Sequence, residues 1–98
     1  MPEKIKQELD KWEERSQKIL QKIKKLPGRA SKEIREEYKE LKVDGHKLVK
    51  QIDKRVEQAE DKTKEALKKL RNRAQKAIKE LNDAWSETGE DPVPVNLE

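Results

Sequence analysis

A single stripe of apolar and small residues runs through more than half of the chain and restricts what it can become. Ile34, Tyr38, Leu41, Gly45, Leu48, Ile52, Val56, Ala59, Thr63, Ala66, Leu70, Ala74, Ala77, Leu81 and Ala84 follow one another at steps of 3 or 4. A half-buried strand would repeat every second residue, so this spacing predicts helix. From Ile34 to Ile52 the steps alternate as a heptad, and at Val56 and Ala74 a second step of 4 restarts the phase. Tyr38, Val56 and Ala74 are each 18 residues apart, which is about five turns of about 3.6 residues. The stripe therefore stays on one side of a nearly straight, weakly supercoiled helix.

Composition agrees with a narrow seam. Charged residues make up 47% and hydrophobic residues 31%, with no Phe. A layered α/β core needs more apolar bulk, whereas a helical hairpin or coiled coil does not. A disordered charged segment has no reason to keep a helical phase over such a distance. The 98 residues suffice for one small domain. Without Cys there is no disulfide framework, thiolate metal site or cysteine nucleophile. Met1-Pro2-Glu3-Lys4 is not followed by an apolar run, and no run has the length of a membrane span, so a cytoplasmic protein is expected.

The first helix is expected over about 3–26, with the seam Ile5, Leu9, Trp12, Ser16, Ile19, Ile23 and Leu26 and with Leu20 beside it. Ser16 reads as a small seam residue facing a larger neighbour. Pro2 is tolerated in a first turn. Residues 27–30 form a turn, because Pro27 disfavours helical backbone before it and Gly28 can adopt positive φ. Ser31 suits the N-cap of the second helix, and Glu33, Glu36 and Glu37 favour its positive end. That helix is expected over about 31–87, ending before Gly89, Pro92 and Pro94. Residues 89–98 read as a disordered acidic tail. The fold expected is an all-α antiparallel helical hairpin or coiled coil, spanning 1–88, with a short first helix and a long second one. The alternative is a three-helix fold-back broken near Gly45, where Asp44-Gly45 is a turn signal. The seam keeps its phase through Gly45, which favours continuity.

A first helix of about 36 Å cannot cover a second of about 80 Å, at about 1.5 Å per residue. The distal stripe, Val56, Ala59, Thr63, Ala66, Leu67, Leu70, Ala74, Ala77, Ile78, Leu81 and Trp85, is left as the candidate oligomer or partner interface. Self-association, with an antiparallel dimer favoured, follows. A protein partner is the other occupant.

The second candidate is electrostatic. Residues 1–29 carry a net charge of +4, 30–61 of −1, 62–86 of +5 and 87–98 of −4. Lys62, Lys64, Lys68, Lys69, Arg71, Arg73, Lys76 and Lys79 make 62–79 a basic amphipathic helix. Such a helix can meet an anionic membrane or a nucleic-acid backbone. The competing reading is a coiled-coil seam with charged flanks, including Glu60–Lys64 and Glu65–Lys69 pairs. Trp12 and Trp85 lie on or beside the seams and read as core, with Trp85 also placed to anchor in a partner groove.

Chemistry-bearing motifs are lacking. His46 is the sole histidine, and Asp44 is on a different helical face, so a metal site is not expected there. Glu33, Glu36, Glu37, Glu40 and Asp44 read as a solvated face opposite basic residues of the first helix, or as a weak cation or basic-partner patch. There is no phosphate loop, GxSxG or HExxH. No enzyme activity, cofactor, metal or small-molecule substrate is expected.

Glu37-Tyr38, Glu65-Ala66-Leu67, Leu70, Lys76-Ala77, Glu80-Leu81 and Ala84 resemble a group of small, charged bacterial coiled-coil proteins of no established function. The likeness covers about residues 37–85. Those proteins often carry Trp where this chain has Leu67 and Ile78. The resemblance implies a bacterial source and a non-enzymatic helical protein, and supplies no site residues. The function expected is a scaffold or interaction module acting through the distal stripe. The alternative is a peripheral binder of anionic surfaces through 62–79.

Overall fold

The computed structural model describes residues 3–26, 28, 30–90 and 93. Positions 1, 2, 27, 29, 91, 92 and 94–98, which include parts of the expected first turn and tail, lie outside them. The described residues form three helices, α1 (Glu3–Lys24), α2 (Lys32–Gln58) and α3 (Asp61–Glu87). Among them there is no strand.

α1 forms on its heptad. Ile5, Leu9, Trp12, Ser16, Ile19, Leu20 and Ile23 are its buried residues. It ends two residues short of the expected Leu26, which is half-buried beyond the last turn. Ser31 caps α2 as its chemistry predicts: its backbone is extended and its Oγ accepts the Ile34 N–H at 3.2 Å. α2 is continuous through Gly45, and its buried residues are Tyr38, Leu41, Gly45, Leu48 and Ile52.

The expected long helix over 31–87 is two helices. The chain turns at Ala59 and Glu60, both extended, with φ/ψ of −92/156° and −75/162°. The fold-back thus exists, but fourteen residues beyond Gly45. The physical reason is a gap in bulk. Between Val56 and Leu67 the seam holds only Ala59, Thr63 and Ala66, so no bulky apolar side chain there anchors a continuous helix to a neighbour. Ala59 and Thr63 kept the 3/4 spacing across the turn without holding the helix together. The three helices have 22, 27 and 27 residues, so the first is not markedly short.

Cross-helix contacts fix the topology. Arg15–Asp44 at 3.1 Å and Lys22–Glu37 at 3.3 Å run α1 against α2. Arg71–Asp53 at 3.0 Å and the Tyr38 hydroxyl donating to Asn82 Oδ1 at 2.9 Å run α2 against α3. The result is an up-down-up bundle of 48 × 25 × 18 Å. Its centre is a layer in which the Trp12 Nε1–H donates to the Leu41 carbonyl at 2.8 Å. Gly45 makes that approach possible, since a Cβ there would lie 2.6 Å from Trp12 Cζ2.

The segment after α3 is docked where it is described. Gly89, at φ +78°, ends the helix in the left-handed conformation that glycine adopts without strain. Glu90 then accepts the Ala30 N–H at 2.8 Å and pairs with Arg35 at 2.6 Å. Val93 is buried, and its carbonyl accepts from Lys42 at 3.2 Å.

Candidate interaction surface

The distal stripe is occupied within the chain. Leu67, Leu70, Ala74, Ile78, Leu81 and Trp85 are buried. Val56, Ala59, Thr63 and Ala77 are half-buried, and Ala66 is exposed. After the turn the core passes to Leu67 rather than Ala66, a shift of one residue. Trp85 stacks on Tyr38 with ring centroids 4.4 Å apart and planes 9° apart. Both tryptophans are therefore core residues.

The basic residues of 62–79 divide into two groups. Arg71 and Arg73 are structural: Arg71 pairs with Asp53, and Arg73 bridges to Asp10 at 3.0 Å and to Glu13. The hydrogen bond that Arg73 donates to Asp10 is the main reason that its pKa is held above the ordinary value, with Glu13 adding to it. Lys62, Lys68, Lys69, Lys76 and Lys79 are exposed and Lys64 is half-buried. None of these six takes part in an ion pair among the described residues. The expected Glu60–Lys64 and Glu65–Lys69 pairs are not formed.

The fold-back adds residues that the linear reading left out. Lys39, Lys42, His46, Lys50 and Asp53 on α2 follow at steps of 3 or 4 and share a face. Arg71 binding Asp53 places that face beside α3. Lys42 lies 5.3 Å from the centre of the Tyr38 ring, a cation–π contact. Burial lowers its pKa. Burial of the phenol also pushes Tyr38 up to about 12. His46 is half-buried, and its pKa is lowered first by burial and then by the charges of Lys42 and Lys50. The signal for this surface was present in the α2 spacing, but only the turn at Ala59 shows that it lines a groove with α3.

The other candidates settle into structural places. Of the acidic set, Glu37 is paired with Lys22 and Asp44 with Arg15. Among the described residues no three His, Cys, Asp or Glu side chains are grouped to hold a metal ion. No described helix is long and apolar enough to cross a membrane. An open recess of about 560 Å³ at one end of the bundle is lined by Ile23, Lys24, Leu26, Gly28, Ala84, Glu87 and Thr88. Its two charges, Lys24 and Glu87, offer no converging set for catalysis. Comparison of the chain with known protein families, with curated proteins and with solved structures gives no match.

Proposed function

We propose that this chain is a non-enzymatic helical interaction module that meets an anionic partner through its charged exterior. One contrast carries the reading. The apolar stripe that a coiled-coil scaffold would offer to a partner is covered by the chain's own helices. The lysines of the same segment stand outside every ion pair among the described residues. Self-association through the stripe keeps only Val56, Ala59, Thr63 and Ala66 near the α2–α3 turn and Ala77 further along α3, with Val56 the largest apolar side chain. A stable interface buries about 800 Å² per partner, which so small a patch does not supply.

Two measurements test the proposal together. Light scattering across a concentration series is expected to give the mass of one chain. Retention on an immobilised polyanion, heparin, is expected at low salt and lost as ionic strength rises. A dimer that dissociates on dilution would return the function to the stripe. No retention at low salt would remove the anionic partner altogether.

A further inference from the structure

The two connections between helices are built differently. Between α1 and α2 lie Pro27 and Gly28, and Ser31 caps the second helix through its Oγ. Pro27 has no N–H and disfavours a helical residue before it, so α1 and α2 do not merge. Between α2 and α3 only Ala59 and Glu60 are non-helical, and both residue types are good helix formers. Glu60 makes no side-chain cap hydrogen bond. A break leaves up to about four N–H and four C=O groups without helical partners, and a continuous helix would pair them. The core does not oppose straightening either. In one helix at about 100° per residue, the buried residues of α2 and α3, from Tyr38 to Trp85, would share an arc of about 120°. The closed chain leaves the middle of this seam uncovered: Val56, Ala59 and Thr63 are half-buried and Ala66 is exposed.

We propose that the cleft between α1 and α2 also takes α3 of a second copy, in a domain-swapped dimer whose α2 and α3 form one helix. Register argues for the second copy as the occupant. In the closed chain Tyr38 pairs with Asn82 and Asp53 with Arg71, contacts centred on residues 60 and 62. Two straight helices paired antiparallel in that register cross at a two-fold axis near residue 61. Ala59 then lies opposite Thr63 of the second copy, and Val56 opposite Ala66 of the second copy. The seam residues left uncovered in the closed chain become the middle of the new contact, and their small side chains let the two helices approach. The other contacts of α3 reform between copies, including Arg73 with Asp10 and Glu13 and the stack of Trp85 on Tyr38. The tethered α3 competes at an effective concentration on the order of 1 mM, so exchange prevails only in concentrated samples. Exchange also requires α3 to leave the core, so chains already closed stay monomeric through a concentration series.

The test is refolding from urea at about 10 μM and at about 1 mM, followed by size-exclusion chromatography with light scattering. Concentrated refolding should yield a dimer that persists on dilution and returns to monomer only after unfolding. Spin labels on Glu40→Cys and Glu80→Cys, in a doubly labelled chain refolded with excess unlabelled chain, read the exchange directly. In the closed bundle the two sites share one level of a molecule 25 Å wide. In the dimer about 60 Å of straight helix separates them. Asp61→Pro suits the closed chain, because position 61 begins α3 and the extended Glu60 precedes it. It interrupts a continuous helix, so it should lower the dimer yield at least about tenfold. Ala66→Leu, at a position exposed in the closed chain, adds apolar contact beside the two-fold axis. It should raise the yield at least about threefold. Monomer alone from concentrated refolding would overturn the exchange. A dimer whose labels stay within 25 Å would do the same, since its chains would be closed. So would an undiminished yield from a folded Asp61→Pro variant, or an unchanged one from Ala66→Leu.

Discussion

Gly45 and Trp12 define the tightest point of the core. A Cβ at Gly45 would meet Trp12 Cζ2 at 2.6 Å and Ile78 Cγ1 at 3.2 Å. In an ordinary helix Gly→Ala stabilises by about 1 kcal/mol. Here overpacking costs about 1–3 kcal/mol, which offsets or exceeds that gain, so Gly45→Ala is expected to destabilise by up to about 2 kcal/mol in urea unfolding. In a Trp12→Leu background the same change should become neutral or favourable, because the indole that it strikes is gone. Gly45 was legible as a seam residue, but its neighbour was not, since spacing does not show which side chain lies across a seam. His46 gives a second expectation. Its pKa is held below the ordinary 6.5 by burial, Lys42 and Lys50, so the unfolded chain takes up its proton first as pH falls. Stability should therefore drop as pH passes below about 6.5, through the window between the unfolded and folded pKa values. His46→Gln should flatten that part of the profile in thermal unfolding followed over pH.

At the scale of the elements, α3 is a core helix. Leu81 is 0% exposed, so Leu81→Asp places a charge where neither water nor a base reaches it. The expected result is loss of helical circular dichroism at ambient temperature, with no folded species of altered mass. A folded Leu81→Asp monomer would contradict the burial described. The end of α1 and the start of α2 were readable because Ser31 and the Pro-Gly pair act locally. The α2–α3 turn carries no Gly or Pro, and Glu60 at the α3 N-cap makes no side-chain cap hydrogen bond. Its trace was the stretch from Val56 to Leu67 without a bulky apolar residue, a non-local signal that the continuing 3/4 spacing concealed. The candidate basic set suffered the same way. Its α3 residues were visible, while the α2 lysines joined them only through the fold-back.

Across the whole molecule, the segment after α3 ties the end of the bundle together. Glu90 binds the backbone N–H of Ala30 and the guanidinium of Arg35, joining the α1–α2 connection to the end of α3. Glu90→Ala removes both contacts and is expected to cost about 1–3 kcal/mol, measured by urea unfolding. Hydrogen exchange should quicken first at Ala30 and over the last turn of α3. An acidic stretch with the breakers Gly89, Pro92 and Pro94 reads as a disordered tail. It could not reveal that Gly89 returns the chain to a waiting donor and base.

The placement of the two indoles makes the molecule its own optical instrument. Trp12 sits in the central layer against Gly45, and Trp85 lies on Tyr38 beside the docked tail. Their emission reports two heights of the same bundle. Single-tryptophan variants, with Phe at the other position, separate the signals without any added label. Coincident denaturation curves would identify one cooperative unit. An earlier transition for Trp85 would identify the tail end as the place where melting begins.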